Sequence, residues 1–348
     1  MKTMETERIK SILSEEGRKI LLYHTDVDGI CSAALFNKFF SGFSTVPMEG
    51  PIMSKNFVKE LAKLKPSIIV ALDLPIDQEW KKIEKLMEES EKTRLFIIDH
   101  HIAVKNMSGE RIVHMNPRFE KQVYIPASVL VYRKLGDLGC DVEKLIWIAA
   151  MGVIGDYAYE DCSDILEECE KMYPGTCNGK GSKMEMLSKK LMSTVILDGI
   201  KGTEKSLGIM TRTDSYEDAE KSDYLNSCYD KVETEIKEVI GEFKKKARVV
   251  PEIDLYIYQI ESGLNIASTI STRLAEMNPE KMILVTKNSN NVVKVSARYQ
   301  KGDISLNSLL KETTKGIGSG GGHEKAAGAV IERSKWREFE NRLIAAVT

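Results

Sequence analysis

The sequence predicts an α/β protein in which an N-terminal parallel-sheet domain, a long helical connector and a smaller C-terminal α/β domain follow one another. Three observations predict it. Short apolar runs alternate with helix-length segments over the first two thirds of the chain, the pattern of strands buried on both faces and separated by helices. The charged segment 216–246 carries helical periodicity and no proline until Pro251. A second alternation of strand and helix patterns runs from Asp254 to Ala346. The 348 residues suit two domains, drawn here as 1–215 and 251–348 with 216–250 between them.

Each element follows from its pattern. Residues 1–12 are charged and helical in character. Residues 18–24 (RKILLYH) are an apolar run with a polar end, and 30–40 continue as a helix. Residues 67–73 (SIIVALD) are β-branched and apolar up to the final Asp; 94–99 (RLFIID) repeat that form, and 111–115 read as a further strand. Helical stretches at 55–65 and 78–91 separate them. Residues 142–154 read as a buried helix leading to Gly155 and Asp156. An acidic segment follows, with seven acids and no Lys or Arg between Asp156 and Glu170. Residues 178–183 (NGKGSK) form a polar loop and 184–197 a helix. In the last third, 254–260, 281–286, 292–297 and 326–331 read as strands, and 266–277, 306–312 and 335–346 as helices. Residues 316–322 read as a glycine loop.

Composition excludes several classes. Apolar residues make up 42%, enough for packed cores, so general disorder is ruled out. A formal net charge of −2 excludes a uniformly basic nucleic-acid binder. The balance conceals an asymmetry: residues 281–348 hold 12 Lys/Arg against 6 Asp/Glu, and the rest of the chain is net acidic. An acidic body with a basic last fifth suits a metal-binding part joined to an anion-binding part. The longest charge-free apolar stretch, 145–155, is far short of the ~20 residues of a membrane span, and the N-terminal segment lacks a signal-peptide core. Six cysteines, none in a C-x-x-C pair, exclude a disulfide scaffold and a zinc ribbon. A reducing cytoplasm and no membrane association are expected.

Three expected strands end in chemistry. The first ends in His24-Thr-Asp26-Val-Asp28-Gly29, the second in Asp73 and the third in Asp99-His100-His101. In parallel sheets ligands sit beyond the carboxyl ends of the strands. Adjacent carboxylates repel unless a cation lies between them. Oxygen ligands suit hard divalent cations, and added imidazole biases the choice toward Mn2+, with Mg2+ the alternative. Gly29 allows a tight turn into the next helix. Three of the five histidines stand at these strand ends, whereas His114 reads as structural. Asp156 ends the buried helix, where its charge opposes the helix dipole and needs compensation. His24, Asp26, Asp28, Asp73, His100 and Asp156 together suit two divalent cations about 3.5–4 Å apart with a bridging carboxylate, the arrangement of two-metal phosphoester hydrolysis. Among the remaining motifs, six glycines lie between Gly316 and Gly328, where exposed backbone N–H groups, His323 and Lys325 would attract a phosphate. Lys294, Lys301 and Lys315 would extend a basic track along a single strand.

Asp26-x-Asp28-Gly29, the strand-end Asp73, Asp99-His100-His101 and Gly155-Asp156 resemble, in order, the four motifs of the DHH phosphoesterase superfamily. Gly318-Ser-Gly320-Gly321-Gly322-His323 resembles the signature of the DHH-associated C-terminal domain. The resemblance spans nearly the whole chain. It implies that His24 and Asp26 hold one metal, that Asp28, His100 and Asp156 hold the other, and that Asp73 bridges them. It further implies that Asp99 orients its neighbours, that His101 meets the scissile phosphate, and that Arg298, Gly320, Gly321, Gly322 and His323 bind substrate. The first histidine is spaced H-x-D-x-D, as in archaeal RecJ-like proteins.

The resemblance implies a two-domain, metal-dependent exonuclease that trims single-stranded DNA or RNA from one end and releases mononucleotides, with a role in replication and repair. Two rivals remain. An oligoribonuclease or cyclic-dinucleotide phosphodiesterase would have the same two domains. Some relatives instead act as replisome scaffolds bound to the GINS complex, having lost metal ligands. Here every motif is intact, and the acidic segment 157–170 is the stretch such a partner would use.

Overall fold

The computed structural model describes residues 2–179, 181–301 and 303–347. By contacts the chain divides into two units, Met1–Tyr229 and Asp230–Thr348. Lys180, within the loop expected at 178–183, lies outside the described residues.

The first unit runs α1 (Lys2–Leu13), β1 (Lys19–His24), α2 (Val27–Phe39), β2 (Phe43–Met48), α3 (Lys55–Lys63), β3 (Ile68–Leu72), α4 (Trp80–Glu89), β4 (Arg94–Ile98) and β5 (Ile112–Met115). Helices α5 (Ala127–Asp137), α6 (Ile146–Gly155), α7 (Ser163–Met172), α8 (Lys183–Asp198), α9 (Ile200–Arg212) and α10 (Tyr216–Glu220) follow, then α11 (Asp223–Lys246). Its sheet has the order β2-β1-β3-β4-β5 and every pair is parallel.

Alternating side chains explain why these strands are apolar throughout. Leu21, Tyr23, Val70, Leu72, Phe96 and Ile98 join one core, with α1, α2, α5 and α6. Ile20, Leu22, Ile69, Ala71, Leu95 and Ile97 join the other, with α3 and α4. With both faces covered, neither can carry polar residues, and the period-two alternation of a half-exposed strand disappears. The strand order reverses direction between β1 and β3, which opens a crevice beyond their carboxyl ends. Helix α6 is buried from Ile146 to Ile154, so it is apolar all round.

The second unit continues from α11 with β6 (Arg248–Val250), β7 (Leu255–Gln259), α12 (Ala267–Met277), β8 (Met282–Ser289), β9 (Val292–Arg298), α13 (Leu306–Thr313), β10 (Gly318–Gly322), β11 (Ala326–Glu332) and α14 (Trp336–Val347). Its sheet has the order β10-β11-β9-β8-β7-β6, antiparallel except for β7 with β8. Leu306, Leu310, Phe339 and Leu343 from α13 and α14 fill its core.

Several expectations are corrected. The segment 216–246, expected as one long helix, is two helices, α10 and α11, and 248–250 is strand β6. Helix α2 begins at Val27, so Asp28 lies in its first turn rather than in a loop before it. Residues 43–48 and 127–137, left unassigned by pattern, are β2 and α5. The glycine loop is an edge strand, β10. A Cβ on Gly318 would lie 2.2 Å from the Val330 carbonyl oxygen, and one on Gly320 would lie 2.7 Å from that of Leu310. Glycine there admits close packing against β11 and α13, which a run of glycines alone does not reveal.

Candidate metal centre

The crevice at the strand reversal gathers the acids and imidazoles. His24 is the last residue of β1, and Asp26 caps α2, its Oδ1 accepting from the Gly29 N–H at 2.9 Å. Gly29 permits this: a Cβ there would lie 2.3 Å from the His24 carbonyl oxygen. Asp28 is fully buried, with Oδ2 accepting from the Ala127 N–H at 2.6 Å and Oδ1 from the Ser128 N–H at 3.0 Å. Those two donors open α5, where unpaired N–H groups and the helix dipole favour a carboxylate.

Asp73 follows β3 with φ +57°, a left-handed conformation uncommon outside glycine, and its N–H donates to the Ile98 carbonyl at 2.9 Å. His24 Nδ1 lies 2.8 Å from Asp26 Oδ2 and 3.3 Å from Asp73 Oδ2. His100 Nε2 lies 3.2 Å from Asp73 Oδ1 and 3.3 Å from Asp156 Oδ2. None of these approaches has hydrogen-bond direction at Asp73. Both its carboxylate oxygens, together with His24 Nδ1 and His100 Nδ1, are buried without a hydrogen-bond partner. Buried polar atoms are nearly always paired, so the two Asp73 oxygens and His24 Nδ1, orphaned in one crevice, mark a place for a ligand.

The donor set fits divalent cations. The potential ligand atoms of His24, Asp26 and Asp73 lie within 4.8 Å of one another, and so do those of Asp28, His100 and Asp156. A third such group, Asp73, His100 and His101, links the two. All donors are carboxylate oxygen or imidazole nitrogen: the oxygens suit hard divalent cations such as Mg2+ and Mn2+, and the imidazoles bias the choice toward Mn2+.

Electrostatics carries the same message. Burial pushes Asp156 up to about 9, helped by the charges of Asp28, Asp73 and Asp26. Burial and then Asp26 and Asp28 raise Asp73 well above the carboxylate range. Asp28 is raised by burial, against the pull of His100. Burial opposes a charge on His24, but Asp26 and Asp73 outweigh it and hold His24 at about 11. Burial would raise Asp26 as well, yet His24 holds it at about 2. Carboxylates crowded this closely and this far from water require positive charge among them.

Three residues brace the ligands. Asp99, fully buried, accepts from His101 Nδ1 at 2.8 Å and from the His101 N–H at 3.2 Å. The bond to Asp99 fixes the His101 ring and leaves Nε2 for a ligand. Asn116 Nδ2 donates to the His101 carbonyl at 2.9 Å and to Asp99 at 3.4 Å. The Tyr124 hydroxyl donates to Asp156 Oδ2 at 3.2 Å, and its ring centroid is 5.0 Å from that of His100. Sequence reading missed both Tyr124 and Asn116. Tyr124 lies in a loop outside every motif, whereas Asn116 follows β5 as Asp73 follows β3 and Asp99 follows β4, so its strand-end position was the signal that could have found it. A pocket of about 350 Å³ begins at Ile102, the residue after His101, and is lined by Lys105, Asn106, Arg118, Phe119 and Gln122. The Arg118 guanidinium lies 5.3 Å from the Tyr124 ring centroid, and its Nε is buried with no hydrogen-bond partner.

All eight site residues expected in the N-terminal domain therefore converge. The other five lie in the second unit, at one end of its sheet. Arg298 ends β9 opposite Ala326, and Gly322 pairs with Ala327. His323 begins the three-residue turn between β10 and β11 and is exposed, its N–H donating to the Ala326 carbonyl at 2.8 Å. The Arg298 guanidinium is oriented by the hydroxyls of Thr272 at 3.0 Å and Ser268 at 2.9 Å. Of Gly320, Gly321 and Gly322, only Gly321 has room for a Cβ at ordinary contact distance, 3.4 Å from Lys311 Cε.

Residues 19–155 match the family model described as DHH family, N-terminal domain, and residues 255–348 match the DHHA1 domain. No curated protein matches the chain in sequence. Among solved structures, RecJ of Thermus thermophilus in complex with Mn2+ superposes with a TM-score of 0.76 at 15% identity, over 99% of this chain and 54% of that one. The chain thus spans about half the length of that protein. An exonuclease RecJ bound to manganese gives 0.72 at 16% identity, over 99% of this chain and 94% of that one. The pGpG-specific phosphodiesterase PggH of Vibrio cholerae gives 0.55 at 13% identity, over 95% and 98%. At these identities the likeness is one of fold.

Proposed function

The chain belongs to the DHH family, and from that membership we propose that it is a metal-dependent phosphodiesterase. It removes nucleotides from an end of single-stranded DNA or RNA by a two-metal mechanism. The observation that carries this reading is Asp73: two buried, unpaired oxygens, one toward His24 and the other toward His100. A carboxylate so placed serves as the shared ligand of two sites.

His24, Asp26 and Asp73 would hold one ion, and Asp28, His100 and Asp156 the other, with Asp73 common to both. The bound ions would supply a water of lowered pKa and positive charge for the phosphoryl oxygens. Asp99 holds His101 by Nδ1 and favours the protonated ring against the cost of burial, so that Nε2–H can donate to an oxygen of the scissile phosphate. Tyr124 keeps Asp156 aligned, and Asn116 does the same for Asp99. Arg118, beside its pocket, is suited to a neighbouring phosphate. In the second unit, Arg298, Gly320, Gly321, Gly322 and His323 would take the substrate's backbone. The net positive charge of residues 281–348 supports that assignment.

A second reading, hydrolysis of dinucleotides, is supported by the fold shared with the pGpG-specific phosphodiesterase over 98% of that chain. One experiment separates the two readings. End-labelled single-stranded 20-mers of DNA and RNA and a set of dinucleotides are incubated with Mn2+, with Mg2+ or with EDTA. Stepwise shortening of a 20-mer with Mn2+ and none with EDTA is expected. Strong preference for dinucleotides moves the function to the second reading, and intact substrates under every condition would end both.

A further inference from the structure

Tyr157 stands where the backbone asks for glycine. Beyond α6, its N–H donates to the Ile154 carbonyl at 3.3 Å and the Ala158 N–H donates to the Val153 carbonyl at 3.0 Å. These paired bonds make a Schellman helix end, in which the left-handed residue is usually glycine. That residue is Tyr157, with φ +56°. An L-residue pays a steric penalty there that glycine escapes, and a bulky one needs a reason.

The fold offers none. The Tyr157 side chain is 75% exposed, and its aromatic neighbour is Tyr159, itself 43% exposed, edge-on at 6.3 Å between centroids. The turn beneath is firm: Ala158 is buried, and its carbonyl accepts from the Cys162 N–H at 3.1 Å. A large ring is therefore held out of the core on the residue next to Asp156, whose Cα is about 3.8 Å away. Glu160 and Asp161 share the turn and are exposed. Their charge disfavours a phosphate at the turn itself, so the rings meet an uncharged part of a ligand, its base, while its phosphate would go to cations at the neighbouring site.

We infer that Tyr157, backed by Tyr159, is a stacking platform for a nucleobase beside the scissile phosphate. This rests on the phosphodiesterase reading and adds the group that receives the base. Stacking of this kind accepts any base, because each has a π-face.

The test uses the full chain with Mn2+ and two single strands, one normal and one made abasic at the two nucleotides of each end. Tyr157→Gly is the informative variant because glycine suits the backbone, so its melting temperature should match or exceed that of the wild type. We expect it to raise KM for the normal strand by between about 5-fold and about 150-fold. kcat should change little, and use of the abasic strand should stay as it was; Tyr157→Phe should behave as wild type. A wild-type KM for Tyr157→Gly on the normal strand, or equal losses on both strands, overturns the platform while leaving the activity in place. Failure of the wild type to cut either strand instead overturns the phosphodiesterase reading, and the platform with it.

Discussion

Asp73 and Tyr124 show how one carboxylate and one hydroxyl contribute in different ways. Asp73 belongs to the group of His24 and Asp26 and also to the one with His100 and His101 that links it to Asp28 and Asp156, so its loss touches both sides of the site. Asp73→Ala should reduce hydrolysis by about 10³-fold. It should also lower the number of Mn2+ ions bound, as counted by calorimetric titration; wild-type turnover with Mn2+ supplied would sink the two-metal model. Tyr124 acts through Asp156. Tyr124→Phe deletes a single hydrogen bond, and removal of such a partner weakens metal affinity or activity by about 10- to 100-fold. A variant with wild-type affinity and rate would show that Asp156 needs no alignment. The acids and histidines of the site were legible in the order of residues, whereas Tyr124 was not, because a lone tyrosine in a loop carries no pattern.

Among the elements, α2 and α6 make the site possible by close approach. A Cβ on Gly152 would lie 1.9 Å from Ser128 Oγ and 2.5 Å from Asp28 Oδ1. Gly152→Ala should therefore destabilise the fold by about 1–3 kcal/mol and push Asp28 away from its place. Urea unfolding and Mn2+ titration check the two effects, and unchanged values in both would refute the tight packing. The strands β1, β3 and β4 were legible because burial on both faces leaves only apolar residues. Strand β2 was not: at the sheet edge its side chains are mostly half-exposed, and its FSTVPM sequence lacks the apolar run. Strand β10 read as a loop because its glycines satisfy the packing demands of neighbours that are remote in sequence.

For the molecule as a whole, pH reports the stored repulsion. Asp156 is held near 9, above its ordinary carboxylate value. Its protonated form therefore stabilises the metal-free fold fully below about pH 4, and that contribution is lost as pH rises to about 9. His24, held near 11, acts in the same direction, its contribution lost between about pH 6.5 and about pH 11. The melting temperature of the chelated protein should fall from pH 5 to pH 9, and added Mn2+ should raise it most at the alkaline end. A flat profile without metal would mean that the carboxylates are not crowded in solution. No helix among the described residues is long and apolar enough to cross a membrane.

The sequence by itself determined that parallel strands exist, that acids and histidines stand at their ends, and that a basic α/β unit follows an acidic one. It could do so because strand burial and motif spacing are local properties of the chain. Only the tertiary structure decided that Asp28 is anchored by the start of α5, that Asp73 lies between His24 and His100, and that Tyr124 braces Asp156. Only the tertiary structure, too, turned the glycine run into an edge strand. Those outcomes depend on contacts between residues about a hundred positions apart, such as Asp28 with Ala127 and Ser128. No periodicity encodes such distances; they follow from how the helices pack on the sheet.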